Sequence, residues 1–421
     1  MTPLIFIVNL LLAVPVALVL ALTAIWYIWE SGNTILYDSF AQKMFSGIEN
    51  YGLLAIPLFM LTGEMMNEGG MTRRLINAAR IFVGGFRGGL AYINLLANMF
   101  MAAIIGSATA QIAVMARAMT PEMEKEGYDK GFAAATTAAG GLLAPVIPPS
   151  MMFVIFGVLA QIPIGDMFLA GVVPGLMLAV SFALVIAAVG FLRGFPRGAW
   201  YTGREAVSAL LFCLPAAFIP LAIIGGILFG IATPTESAAI ASLIAFLVGW
   251  LVYRELKPST LFAMFRRTAV SASMIIFMIA AANVFGWVII YEALPQKLAS
   301  LITSLTADPF VFLLIVNVVL LGVGMVIDGI AAVILITPIL LPIAMNNYEI
   351  SPYQFGVVIC LNLVLGLLTP PVGVGLYIAS TMSGTSPGRI LRALWPFLLA
   401  VAVVLILLSR FPSLSTMLIQ T

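Results

Sequence analysis

LGVGMVIDGIAAVILITP, residues 321–338, decides how the chain is read. The stretch is long enough to sit in a bilayer and carries one carboxylate, Asp328, with apolar residues on both sides. A charged group at membrane depth costs at least about 2.5–3.5 kcal/mol on the insertion scale. Gly322, Gly324 and Gly329 weaken a continuous helix around it. Together they predict a broken helix, with free backbone groups and a carboxylate aimed at something polar. A simpler account makes Asp328 only the N-cap of the helix that follows. A capping aspartate is cheap in water and expensive in lipid.

Composition sets the class. Of 421 residues, 62% are hydrophobic and 9% charged, which no soluble domain of this length matches. Apolar runs long enough to span recur from end to end and are continuous rather than alternating. The chain is therefore read as an all-α polytopic membrane protein. It contains no histidine, which removes His-based proton relays, His metal sites and Ser-His catalysis. Cys213 and Cys360 both sit in apolar runs and read as free core thiols. No enzyme is expected, because no paired intramembrane carboxylates are available for acid–base work. The net charge of +2 gives no sign of a nucleic-acid partner.

Residues 3–28 read as a first span, 29–48 as an interfacial amphipathic segment and about 51–66 as a second span. Arg73, Arg74, Arg80 and Arg87 follow. The basic link 193–204 marks the midpoint, giving a first repeat over 1–204 and a second over 205–421. The second half replays the first, with one extra span at 206–231. Asn317 matches Asn98, the break at Asp328 matches that at Gln111, and Thr337-Pro338 matches Thr120-Pro121. Pro370-Pro371 matches Pro148-Pro149. The spacing stays at about 217–223 residues, and paired broken segments of this kind point to a secondary transporter built from inverted-topology repeats. Basic loops at 73–87, 193–204 and 254–267 fall on the cytoplasmic side by the positive-inside rule.

Four stretches break the hydrophobic pattern with polar groups: Gly106–Gln111, Pro145–Ser150, Gly322–Gly329 and Thr369–Gly375. Irregular backbone at that depth is tolerated only inside protein or beside a water-filled cavity. Free carbonyls, hydroxyls and one carboxylate suit a hard monovalent cation such as Na⁺, while helix N-termini at the same breaks favour an anion. A shared site for a cation and a carboxylate substrate is the functional reading. In it Gln111 and Asp328 face each other from equivalent positions. Mere kinks eased by Ser and Thr back-bonding are the structural alternative, and an ion or small-solute channel is the rival function. Glu64 and Glu68 read as interfacial, and Glu236 in TPTES as part of a helix start. Trp26, Tyr27, Trp200, Tyr201, Trp250 and Tyr253 read as belt residues.

At these residues the chain resembles the large membrane subunit of tripartite ATP-independent periplasmic (TRAP) transporters. The matching stretches are LLAIPLFMLTGEMMNEGGMTRRL (53–75), IGSATAQIA (105–113), LLAPVIPPSMMFVIFGV (142–158), TPTESAA (233–239), GMVIDGIAAVILITPILLP (324–342) and GLLTPPVGVGL (366–376). The resemblance implies an elevator-type fold with two re-entrant helical hairpins whose tips carry the sites. It implies Na⁺-driven uptake of organic acids such as C4-dicarboxylates, sialic acid or keto acids, in the bacterial cytoplasmic membrane. It also implies a small four-span subunit, expected as a separate polypeptide, and a periplasmic substrate-binding protein. Carried over residue by residue, it gives substrate contacts at Ser107, Gln111, Ser150 and Asp328. The ion positions are Gly106, Ser107, Thr109, Pro148, Gly324, Met325, Asp328, Thr369 and Gly373. Pro149 and Pro370 belong to the same breaks. Many members carry an aspartate where this chain has Gln111, which brings no charge.

Overall fold

The computed structural model describes residues 2–33, 35–195 and 203–419. Arg197, Trp200 and Tyr201 lie outside them. The described residues contain helices and no strand. The first half runs α1 (Thr2–Leu11), α2 (Val16–Ser31), α3 (Ile35–Ser46), α4 (Ala55–Glu68), α5 (Met71–Val83), α6 (Gly89–Ile105), α7 (Ala108–Lys125), α8 (Lys130–Gly141), α9 (Met151–Ala160) and α10 (Ile164–Arg193). The second runs α11 (Gly203–Leu228), α12 (Pro234–Leu247), α13 (Pro258–Tyr291), α14 (Leu294–Leu305), α15 (Pro309–Gly324), α16 (Gly329–Tyr348), α17 (Pro352–Leu367), α18 (Val374–Ser383), α19 (Pro387–Arg410) and α20 (Ser413–Thr416). Among the described residues six helices are long and apolar enough to cross a membrane, or up to eight if each bent pair is one span.

Three expectations are corrected. Residues 3–28 are not one span. Pro15 lacks the donor needed to continue α1, Ala13 takes φ 56°, and the chain folds back until Thr2 Oγ1 donates to Glu30 at 2.7 Å. The basic link 254–267 is not a separate connection, because Pro258 to Arg267 is the first part of α13. Its 34 residues reach about 51 Å at about 1.5 Å each, well beyond a hydrocarbon core of about 30 Å. The end carrying Arg266 and Arg267 therefore overhangs. Arg267 there binds Glu64 at 2.7 Å and Glu68 at 2.9 Å.

Third, Gly322 and Gly324 do not break α15, which continues through both to a short gap at 325–328. Gly324 serves a close approach instead. A Cβ on the facing Gly366 would lie 2.5 Å from Gly324 C and 2.6 Å from its Cα. Those neighbours are backbone and cannot swing aside. Gly366→Ala is expected to lower stability by at least about 1–3 kcal/mol, the usual cost of overpacking. Gly322→Ala meets nothing within 4 Å, and as a helical glycine it should be neutral or gain about 0.5–1 kcal/mol. Thermal unfolding of the two detergent-purified variants checks the contrast; equal midpoints would contradict the close approach.

The helices sort into two packed groups. One is a frame, in which α4 packs on α12, α13 on α2, α3 and α4, and α11 on α5 and α12. Thr62 and Ser242 hydroxyls meet at 2.7 Å across α4 and α12, and Gly69 lies against Gly249 where the two helices end. Thr233 and Glu236 form a reciprocal capping box that starts α12, as the TPTES reading expected. The other group is an interlaced core. Each half supplies a helical pair joined at a short gap (α6/α7, α15/α16) and a helix interrupted by irregular backbone (α8/α9, α17/α18). These cross over: α7 packs on α18, α9 on α16, α8 on α19 and α10 on α17.

Candidate functional site

The gaps in the helical pairs are built alike. Gly106 ends α6 in the left-handed region at φ 62°, a conformation that suits glycine. Ser107 then turns extended and N-caps α7, accepting from Ala110 N–H. In the second half Asp328 N-caps α16, accepting from Ile330 N–H at 3.1 Å. Ser107 and Asp328 are thus the paired positions, each immediately before its helix. Two features expected as alternatives coincide in Asp328, which caps a helix and also lines a cavity.

That cavity holds about 30 Å³ and draws walls from both halves: Gly106, Ser107, Thr109, Pro145 and Met152 from the first, Asp328, Gly329, Ile330, Leu363 and Leu367 from the second. Ser107 Oγ and Thr109 Oγ1 lie 3.1 Å apart. The N-terminal ends of α7 and α16, each with free N–H groups and a positive dipole end, meet there beside one carboxylate. The space suits a water molecule or a small ion, since one water needs about 10–15 Å³ on this measure. A pocket for an organic molecule runs to about 300 Å³ or more.

Of the expected residues, Gly106, Ser107, Thr109 and Asp328 come together. The others do not line this cavity. Ser150 is buried, donates to Pro145 O at 2.6 Å and caps α9. Pro148 lies in a loop facing a different, apolar space. Met325 O accepts from Gly373 N–H at 3.2 Å, and Thr369 Oγ1 donates back to Leu365 O. Gly324 is closed in by Leu363 and Gly366.

Gln111 lies one turn beyond the cap and is fully buried. Its Nε2 donates to Asn98 O at 2.8 Å, to Asn98 Oδ1 at 2.9 Å and to Gly140 O at 3.3 Å. Turning the amide over would set oxygen against three oxygens, so the donor side is fixed. Asn98 in turn donates to Asn94, and Asn94 to Thr137 Oγ1. The second half repeats the motif from another helix: Asn362 Nδ2 donates to Asn317 O at 2.9 Å and Oδ1 at 2.8 Å. Gly140 stands in α8 about where Asn362 stands in α17, and a Cβ there would strike Asn98 Cγ at 2.6 Å. Gln111 therefore corresponds in its bonding to Asn362, not to Asp328. It ties α7 to α6 and α8. Sequence reading paired Asn98 with Asn317 but missed Asn94, Thr137 and Asn362. Their signal was an amide or hydroxyl inside an apolar run, costly at depth unless bonded.

The family model "Tripartite ATP-independent periplasmic transporter, DctM component" matches residues 4–414. The sialic acid TRAP transporter large permease protein SiaM of Vibrio cholerae is 35% identical over 378 residues, 90% of this chain and 88% of that protein. The C4-dicarboxylate TRAP transporter large permease protein DctM of Pseudomonas aeruginosa is 37% identical over 377 residues, with the same two coverages. In fold, the chain is similar to the crystal structure of the Alcanivorax borkumensis YdaH transporter, with a TM-score of 0.67 at 14% identity. That match covers 91% of this chain and 89% of that one. The helices and these matches together make the chain a multi-pass membrane protein of the DctM family, the large permease component of TRAP transporters.

Proposed function

We propose that this chain moves an organic acid across the bacterial cytoplasmic membrane, coupled to Na⁺. The acid would be delivered by a periplasmic binding protein, and a small membrane subunit would complete the complex. Sialic acid and C4-dicarboxylates, named for the two relatives, share a carboxylate, which is the group a helix N-terminus favours. One observation carries the reading: the capped ends of α7 and α16 and the Asp328 carboxylate, from the two halves, meet at one ion-sized cavity. Asp328, with the Ser107 and Thr109 hydroxyls, would hold the ion. The N–H groups at the starts of α7 and α16 would orient the substrate carboxylate once the cavity widens.

The packing supports an elevator movement. The core helices pack on one another more than on the frame, which they meet chiefly where α5 lies on α6 and where α13 and α14 lie on α16, so the core is the body that would slide. The order of helices, with α6–α10 and α15–α19 alike in kind, supports the two-repeat division at 204/205.

Uptake into proteoliposomes containing this chain, the small subunit and the binding protein tests the coupling. With a tenfold inward Na⁺ gradient, each coupled ion supports up to about tenfold accumulation, because a factor of ten is worth about 1.4 kcal/mol. Accumulation that persists when Na⁺ is equal on both sides, with no other gradient imposed, would remove the Na⁺ claim.

A further inference from the structure

A second space lies behind the first hairpin. Helix α11 rests on α5 and α12 but only grazes α6 and α10. The opening it leaves is a chamber of about 480 Å³. Its walls are apolar: Phe100 and Ala103 from α6, Val172 from α10, Ala217 and Ile224 from α11, and Pro148 at its inner end. Its mouth carries Leu176 and Leu221, 52% and 67% exposed, on surfaces continuous with the outer faces of two membrane spans. Beyond Pro148 it narrows to two clefts of about 10 Å³ each, which share Pro149 and Ile223, and one of them reaches Gly106. Gly106 also lines the ion-sized cavity. A narrowing route, apolar as far as Pro149, thus runs from the lipid-facing side to within one residue layer of the candidate site.

We propose that a phospholipid acyl chain enters between α6, α10 and α11 and packs behind the Pro148-Pro149 loop. Water finds almost no partners on these walls, whereas a hydrocarbon chain recovers dispersion contacts along all of them. The mouth opens onto hydrocarbon, which makes the acyl chain the occupant at hand. The narrowing at Pro149 and Ile223 stops it short of Gly106. Its tail supports the loop on the side away from the candidate site, between a frame helix and the core. This assignment depends only on the membrane setting, not on the transport reading.

The test uses the complex of this chain with its small subunit, in vesicles doped with a phospholipid bearing a photoreactive group along one acyl chain. Mass spectrometry then locates the label. Labelling on the Val172 and Ile224 peptides, comparable to that on the peptide of lipid-facing Leu184 (65% exposed), is the expected result. Ala217→Phe and, separately, Ala103→Phe should remove the chamber label and leave that at Leu184. Label confined to Leu184 would overturn the proposal. So would chamber label that appears only without the small subunit, since the space would then belong to a protein partner.

Discussion

Asp328→Asn is expected to weaken Na⁺-driven uptake by on the order of tenfold to a hundredfold without unfolding the protein. The substitution separates the two tasks of this side chain. Asparagine N-caps a helix about as well as aspartate, so the bond from Ile330 N–H survives and α16 still starts at Gly329. What disappears is the charge. Hydrogen bonds and contacts that involve a charged partner contribute about 1.5–3 kcal/mol, and 1.4 kcal/mol is a factor of ten. The loss should appear as a higher Na⁺ concentration for half-maximal uptake, with an unchanged unfolding midpoint. Asp328→Ala should show both defects, because it removes the cap as well. If Asp328→Asn transports with the parent's Na⁺ dependence, the ion is not held by this carboxylate.

Gln111→Asp should destabilise the fold by about 3–5 kcal/mol in the absence of Na⁺, the usual cost of leaving a buried charge uncompensated. The reason is the polarity of the slot. Three oxygens converge on the Gln111 nitrogen, and a carboxylate offers them no donor. Aspartate is also one methylene shorter, so it leaves room between itself and those oxygens. A monovalent cation would then complete the set that the amide now satisfies alone. The unfolding midpoint of the variant should therefore rise as NaCl replaces choline chloride, with no such rise in the parent. A variant that melts with the parent in both salts would show that the Asn98 and Gly140 oxygens do not constrain this position.

Much of this was legible in the sequence because the signals were local. Gly106, Ser107 and Asp328 mark helix ends through rules that act over a few residues, and TPTES announced its own capping box. The registration of the two halves was less legible. Matching the breaks of the two halves at the repeat spacing paired Gln111 with Asp328. The helices themselves begin after Ser107 and after Asp328, so the pairing slips by one turn and the amide moves from the cavity into the packing. No local rule shows that, because what Gln111 bonds depends on which helices face it. Proline was equally ambiguous. Pro174, Pro215 and Pro220 sit within continuing helices, while Pro15 begins a new one, and hydropathy gives both kinds the same apolar setting. The glycines of α15 misled for a similar reason: a short approach to Gly366 explains Gly324 as well as a break does.

The crossed packing of the core has a consequence for how the protein is made. Helix α7 rests on α18, and α8 on α19, yet those partners lie more than 200 residues further along the chain. The α6/α7 pair must wait in the bilayer, with its amides and carbonyls already costly to expose, until α18 and α19 have followed. Contacts so distant along the chain form slowly, and incomplete intermediates of large proteins are the ones that aggregate. Nascent chains arrested before α18 should therefore be the form most dependent on membrane chaperones and most exposed to quality-control proteases.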